Sequence, residues 1–561
     1  MVYIIADNVV SPLGMTTMEN YQALMAGSSA LQHYDHHWGL PEPFTASLFT
    51  KEQEQKISID GLTRFESLAV CSITKALAQT RIDVSSNRIV FILSTTKANI
   101  EMLDGGVDVG PASAAQNIAN YIGFSTQPIV ACNACISGVS AIIMAQRLLE
   151  LNCYDYAVVC GADVQNKFTV SGFQSLKAVS EETCRPFDIE RLGLNLGEAA
   201  ATIVLQRDYA PDCWGVIKGA VRNDGFHISS PSKDGEGAKL ALQAIEAVNF
   251  KDEIAFINAH GTATMFNDQM ESVAIERAGL SDILVNALKG YFGHTLGAAG
   301  IMETVISLQS IKANRILGTK GYEERGVSGK IQLSAVHQTT DKLGFVKMIS
   351  GFGGCNGAFL VTKGKQDISR KSCASYLKMH KLRLTSSSLQ IDGKTIENNP
   401  VNGEWLTYLY KKYVGDYPKF YKMDGLSKLG FLASEMLLDM EEDCKSENRD
   451  DRAIVFCNNS SSIGADKKFQ ESISDLDNFY PSPSVFVYTL PNIVAGEVAI
   501  RHKYRGETSF FILNNQDENL MNQIFKATCA DEKTRSLLGG WLDYKEESDF
   551  IADLFIAQVM R

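Results

Sequence analysis

No stretch of the 561-residue chain approaches the roughly 20 consecutive apolar residues that a membrane-crossing helix needs. The opening segment Met1–Val10 has no basic residues ahead of an apolar run, and Asp7 and Asn8 interrupt it, so a secretory leader is not expected. Basic charge is also scarce. There are 53 Lys and Arg against 65 Asp and Glu, which gives a net charge of -12 and a pI near 5.4. Such a balance repels phosphate backbones and argues against a nucleic-acid partner. Twelve cysteines without a leader read as reduced thiols in the cytoplasm, the expected location, and not as a disulfide framework. There is one Cys-x-x-Cys, Cys132 and Cys135, and no second to complete a four-thiol zinc site, so no metal is expected. The glycines of Gly351–Gly354 are not followed by the Lys-Ser/Thr of a phosphate cradle, which disfavours nucleotide binding.

What the chain does have is globular composition, with 45% hydrophobic residues and 44 glycines. Its length exceeds what one core of about 150 residues holds. Short apolar, β-rich runs (Arg88–Leu93, Ala157–Cys160, Thr202–Leu205, Ile254–Ile257) alternate with helical patterns over 61–78, 138–151, 237–248 and 297–313, which predicts an α/β fold. After Val361 the chain turns polar and Lys-rich, which predicts a boundary near residue 365. Beyond that boundary the chain is expected to repeat its beginning in degenerate form, the alternative being an unrelated α/β appendage. "DGLTRFESLA" from Asp60 matches "DGLSKLGFLA" from Asp424, and "NRIVF" from Asn87 matches "DRAIVF" from Asp451. Asn117-Ile118-Ala119 likewise matches Asn492-Ile493-Val494, in the same order.

Candidate chemistry starts at Cys135, placed between an apolar strand and an Ala-rich helix. A helix N-terminus favours a thiolate, the nucleophilic form of cysteine. Taken alone, a buried structural cysteine is the commoner outcome, and that reading is adopted for Cys132. Three more segments have strand-then-turn character. "FINAHGTATMFND" sets His260 at a strand end, with Gly261 and Thr262 turning the chain. "NALKGYFGHTLGAAGIMETV" sets Lys289 and His294 ahead of a small-residue helix that carries Glu303. "SGFGGCNGAFLV" surrounds Phe352 with glycines, including Gly353, that free backbone N–H groups for an oxyanion. Each segment has a dull explanation by itself. Together, a thiolate candidate, two histidines, a lysine and an oxyanion loop form a thioester-processing set.

"NACISG", "NAHGTATMFND", "KGYFGHTLGAAG" and "GFGGCNG" resemble, in order, the signature segments of elongating β-ketoacyl-[acyl-carrier-protein] synthases. "CRPFDIERLGLNLGEAAA" and "DGFHISSPSKDGEGA" resemble that family too. The resemblance covers about residues 1–365. It implies a thiolase-like α/β fold in which two similar halves, 1–210 and 211–365, pack as five αβαβα layers. Residues 366–561 are then a C-terminal half-domain resembling the first half, degenerate and non-catalytic, with Asn515 where Cys135 stands in the first copy. It implies an acyltransferase of fatty acid, polyene or polyketide synthesis, a decarboxylative condensing enzyme acting on acyl and malonyl groups carried by acyl carrier protein, with no further cofactor. Cys135 would be the nucleophile, and His260 and His294 would bind the malonyl thioester oxygen. Lys289 and Glu303 would orient His294, with Asp268, Thr262 and Gly353 in support. The N–H groups of Cys135 and Phe352 would form the oxyanion hole. Pairing as a homodimer, or as a heterodimer with another ketosynthase-like subunit, is also implied. The sequence departs from the family in the opening strand, in a shortened stretch between Leu93 and Gln127, and in Asn133 where Thr is usual. Two rivals remain. One is a coenzyme-A-dependent thiolase, for which Cys355 before Asn356-Gly357 speaks; the other is a non-catalytic chain-length or partner subunit.

Overall fold

A computed structural model describes residues 1–105, 108–209, 211–364, 375–400, 403–441, 449–475 and 477–561. The boundary expected near residue 365 adjoins 365–374, which lie outside the described residues.

The architecture follows from one five-stranded pattern used three times. The first unit has β1 (Val2–Val10), β2 (Ile89–Ser94), β3 (Ile129–Ala131), β4 (Tyr156–Asp163) and β5 (Ala199–Gln206). β1 pairs antiparallel with β5 and β5 antiparallel with β4, while β4–β2 and β2–β3 are parallel. In space the order is therefore 1-5-4-2-3. β6 (Trp214–Asn223), β7 (Ile254–Asn258), β8 (Leu284–Asn286), β9 (Gly344–Gly351) and β10 (Cys355–Lys363) repeat that order and those directions. So do β11 (Ser375–Thr385), β12 (Arg452–Asn458), β13 (Thr508–Ile512), β14 (Ser536–Glu546) and β15 (Asp549–Met560). The third unit joins the first edge to edge. β3 pairs antiparallel with β13, with Ala131 opposite Phe511 and Val130 opposite Ile512. The combined sheet runs β1-β5-β4-β2-β3-β13-β12-β14-β15-β11 and reads the same from either end.

Helices cover these sheets where the sequence supplies apolar faces. α1 (Arg64–Leu77) and α2 (Pro111–Ile122) lie on the outer face of the first sheet. α1 starts later than the sequence pattern predicts, because Thr63 and Glu66 close a capping box that fixes its first turn. α3 (Ser137–Glu150) and, after the short α4 (Lys167–Ser175), α5 (Glu236–Ala244) and α6 (Met265–Arg277) come next in the chain. α5 and α6 pack on the outer face of the second sheet. α7 (Ala299–Lys312) joins α3 between the two sheets, and both are buried along almost their whole length. These are the five layers expected from the sequence. In the third unit α8 (Gly425–Leu438), α9 (Ile463–Ser474) and α10 (Ile493–His502) lead to α11 (Glu518–Cys529). α8 and α10 cover its outer face and α11 its inner one.

The connection between the fourth and fifth strands is where the units diverge. It spans residues 164–198 in the first unit, Phe352–Gly354 in the second, and only Glu547 and Ser548 in the third.

Charge ties the third unit to the other two. Arg147 of α3 meets Glu507 at 2.7 Å and Asp531 at 3.3 Å, and Arg222 of β6 meets the same Asp531 at 2.8 Å. Burial opposes ionising Asp531, yet the two arginines outweigh it and hold its carboxyl far below the usual range. Removing one partner of a buried network leaves the others unpaired, at a cost of about 3–5 kcal/mol. Asp531→Ala is therefore expected to lower unfolding free energy by about that amount in denaturant titrations. An unchanged midpoint would contradict the role given to this network.

Candidate active site

Two helix N-termini are brought together by glycine. A Cβ on Gly138 would lie 2.9 Å from the Ile301 nitrogen, and one on Gly300 would lie 2.7 Å from the Val139 nitrogen. α3 and α7 thus cross backbone to backbone, closer than any side chain would allow. Each is entered through a 3-10 turn, Ala134–Ile136 and Leu296–Ala298, with Cys135 in the first and His294 just before the second. The crossing sets His294 Nε2 3.1 Å from Cys135 Sγ. Ala134 takes a left-handed φ of 49°, a conformation costly for a non-glycine residue and one that turns the next side chain sharply out of the strand line.

His294 is held on both sides. Its N–H donates 2.6 Å to Asn195 O, its carbonyl accepts from Gly197 N at 3.0 Å, and its Nδ1 accepts from Leu296 N–H at 3.3 Å. An Nδ1 that accepts leaves the ring proton on Nε2, directed at the sulfur. His260 packs edge-on against His294, with ring centroids 4.9 Å apart. The Cys135 sulfur and one nitrogen from each histidine all lie within 4.8 Å of one another. His260 Nδ1 is buried and has no hydrogen-bond partner among the described residues.

Beneath the histidines lies a buried charge cluster. Lys289 Nζ donates to His260 O at 2.7 Å and to Glu303 at 2.8 Å. Lys347 Nζ donates to the other Glu303 oxygen at 2.5 Å and to Asn258 Oδ1 at 2.7 Å. Burial alone would raise the Glu303 pKa, but the two lysines outweigh it and hold the carboxyl below its usual range. Burial, reinforced by the same lysines, pushes both histidines well below the ordinary imidazole value, so both are neutral. For Cys135 burial exceeds the opposing pull of Lys289 and pushes the thiol up to about 12. The sequence-based expectation of a resting thiolate therefore does not hold. The helix N-terminus is present, but loss of solvent outweighs it.

Other expected residues fall around this centre. Gly351 backs onto the nucleophile, where an added Cβ would come 3.3 Å from the Cys135 nitrogen, so the Phe352 loop lies against the Cys135 amide. The Phe352 ring faces Phe173, with centroids 6.2 Å apart. Thr262 bonds to Thr264 at 2.9 Å. Asp268 stands off from the thiol and accepts from Phe187 N at 2.7 Å, anchoring the neighbouring loop. Cys132 is buried, with its thiol directed at Thr96 O. A cavity of about 360 Å³ is lined by Cys135, His260, His294, Thr262 and Phe352, with Phe266 and Leu192 exposed at its edge.

Three groups escaped the sequence reading, and a fourth, Asn133, was noted there without a role. Lys347 sits in strand β9, where nothing marks it as buried. Glu271, one helical turn beyond Asp268, accepts from His260 N at 2.7 Å and Gly261 N at 2.8 Å, and its spacing on α6 was the available signal. Asp163 accepts from Gly297 N at 2.6 Å and fixes the entry to α7. Asn133 reaches the third unit, accepting from Phe510 N at 2.7 Å, which gives the departure from Thr a structural use.

The chain resembles known proteins in sequence and in fold. Residues 1–210 match the family model "Beta-ketoacyl synthase, N-terminal domain" and residues 214–323 match "Beta-ketoacyl synthase, C-terminal domain". A 3-oxoacyl-(acyl-carrier-protein) synthase 2 of Vibrio cholerae is 26% identical over 404 residues, covering 63% of this chain and 96% of that protein. A namesake from Rhizobium meliloti is 33% identical over 250 residues, covering 41% and 59%. Among solved structures, a beta-ketoacyl synthase from Burkholderia phymatum superimposes with a TM-score of 0.58 at 24% identity, over 65% of this chain and 99% of that one. The structure titled PfaC Keto synthase-Chain length factor reaches 0.76 at 13% identity, over 99% of this chain and 78% of that one, a likeness of fold that takes in the third unit. With both domain models spanning more than half of its length around the Cys135–His260–His294 centre, the chain belongs to the beta-ketoacyl synthase family.

Proposed function

We propose that the chain catalyses decarboxylative condensation of a Cys135-bound acyl group with a malonyl group, both delivered as thioesters of acyl carrier protein. The observation that carries this reading is the 3.1 Å approach of His294 Nε2 to Cys135 Sγ, with His260 in the same cavity. In the first step the sulfur attacks an acyl thioester. The carrier's thiol leaves and takes the proton released from Cys135. Backbone N–H groups of Cys135 and Phe352 face the oxyanion, and donors of this kind typically contribute about 3–4 kcal/mol each. In the second step a malonyl thioester loses CO₂, and the enolate attacks the acyl carbon and expels the Cys135 thiolate, which takes a proton from water to restore the thiol. Neutral His260 and His294 act as hydrogen-bond donors to the enolate oxygen, not as general bases. Lys289 and Lys347, only partly offset by Glu303, keep the surroundings favourable to negative charge. The substrates bring their own phosphopantetheine, and the residues call for no further cofactor.

Residues 366–561 act as a non-catalytic partner within the same chain. The loop between β13 and α11, Leu513–Asp517, takes the place of the nucleophile turn and contains no cysteine. This unit presents Phe469 and Phe486 to Phe168 at 4.8 and 6.4 Å, and Phe486 to Phe173 at 5.4 Å. Lys97 pairs with Asp466 at 2.6 Å across the same seam. Phe173 lines the cavity, faces Phe352 and is backed by Phe486, so this packed aromatic wall supports a role in limiting acyl length. The thiolase reading is weaker: Cys355 turns its sulfur to Phe352 O at 3.2 Å and does not line the cavity.

Intact mass after incubation with acyl-carrier thioesters tests the reading. An acyl adduct is expected on the wild-type chain and none on Cys135→Ala; equal labelling of both would defeat it. Because burial raises the thiol pKa to about 12, Cys135 alkylation by iodoacetamide should climb steadily with pH throughout the stable range. A plateau near neutrality would show a resting thiolate instead. Phe486→Ala should shift products toward longer chains at similar turnover, read by product mass; an unchanged distribution would remove the length-limiting role.

A further inference from the structure

The loop that carries Phe352 is gripped by the third unit. Asn492, immediately before α10, donates from Nδ2 to Phe352 O at 2.8 Å. Two residues further on, Gly354 O accepts from Asp224 N at 2.9 Å and from Asn356 Nδ2 at 3.0 Å. Between them Gly353 N donates to Ile228 O at 2.6 Å, and Gly353 O accepts from Asn223 Nδ2 at 2.8 Å. Gly353 and Gly354 both have positive φ, 90° and 73°, so only glycines follow this path without strain. α10 lies against the loop backbone itself. A Cβ on Gly496 would come within 2.7 Å of Gly353 O, and one on Gly353 within 2.7 Å of Asn492 Nδ2.

One atom in this contact is left over. Asn492 is 4% exposed, and its Oδ1 has no partner among the described residues. Phe352 O fixes the amide, because a flipped side chain would set two acceptors facing each other. A buried acceptor left unpaired is costly and calls for an explanation. The loop's own Gly353 N–H, next to Asn492 and now given to Ile228, is the donor that a turn of the two-glycine hinge would bring to it.

Building on the synthase reading, we propose that Asn492 is a positioning residue for the condensing site, a latch supplied by the third unit. In the present state its Nδ2 holds Phe352 O and thereby aims the Phe352 N–H at the thioester oxygen beside Cys135. When the loop turns to admit an acyl group, Nδ2 lets go of Phe352 and Oδ1 takes Gly353 N–H. Both loop positions are thus held by the same amide, and the degenerate unit takes part in each turnover without touching substrate.

The test uses the full-length chain and compares three rates: single-turnover acylation of Cys135, condensation, and iodoacetamide alkylation, which needs no oxyanion donor. Asn492→Leu keeps the side-chain shape and removes both polar ends. It should slow acylation and condensation about 100-fold, as loss of one oxyanion donor does, with alkylation, carrier KM and melting temperature unchanged. Asn492→Asp should be slow at alkaline pH and partly restored at acidic pH, where a protonated carboxyl can again donate to Phe352 O. Gly496→Ala, which pushes the loop from the same side, should give the same split between acylation and alkylation. Wild-type rates in Asn492→Leu, or a loss shared equally by alkylation and melting temperature, would overturn the latch. A wild-type chain that accepts no acyl group would instead overturn the synthase reading and take the latch with it.

Discussion

The close crossing of α3 and α7 at Gly138 and Gly300 is the constraint on which the rest of the molecule depends. Two buried helices that approach backbone to backbone at these glycines bring their N-terminal turns together, and the chemistry sits at those turns. Cys135 and His294 meet because the helices meet. Everything outside the crossing serves to hold it: Asp163 pins the entry to α7, Asn195 and Gly197 fix the His294 backbone, and both sheets press on the helices from either side. Added bulk at either glycine would separate the thiol from the imidazole before it changed any other feature of the fold.

Burial gives this site its electrostatic character. Removing water raises the thiol and lowers both imidazoles, so the resting centre is neutral, above a cluster of two lysines and one carboxylate. A neutral donor pair above two buried lysines suits a reaction whose transient species is an anion. The field is built in advance and needs little rearrangement as charge develops. The arrangement also explains why His294 is a donor: its Nδ1 is already engaged by Leu296 N–H.

Much of this was legible in the sequence, because the groups that touch reacting atoms sit in short local motifs. Cys135, His260, Lys289, His294 and Glu303 all lie on strand-end turns or on the first turns of the adjoining helix. The repeat was legible for the same reason, since α1 and α8, and β2 and β12, keep their apolar patterns. Residues that act only through tertiary placement were not. Lys347 lies in an apolar strand, and only the crossing of layers shows that it is buried against Glu303. Arg147, Arg222, Glu507 and Asp531 look like solvated charges until β13 is seen to extend the sheet from β3. The likeness of the second unit to the first was expected only through the family resemblance, because its own residues repeat little of either other unit. The helix N-terminus at Cys135 was seen correctly, but its effect on the thiol was not, since burial has no local signature.

The measurement that bears most directly on the account starts from isolated Cys135-acyl chain and adds malonyl-carrier protein in a single turnover, following CO₂ and product mass together. The adduct should disappear as one CO₂ is released per β-ketoacyl product two carbons longer, with His260→Ala and His294→Ala each stalling at the intact acyl-enzyme. An adduct that persists with the wild-type chain, or CO₂ released without chain extension, would contradict it.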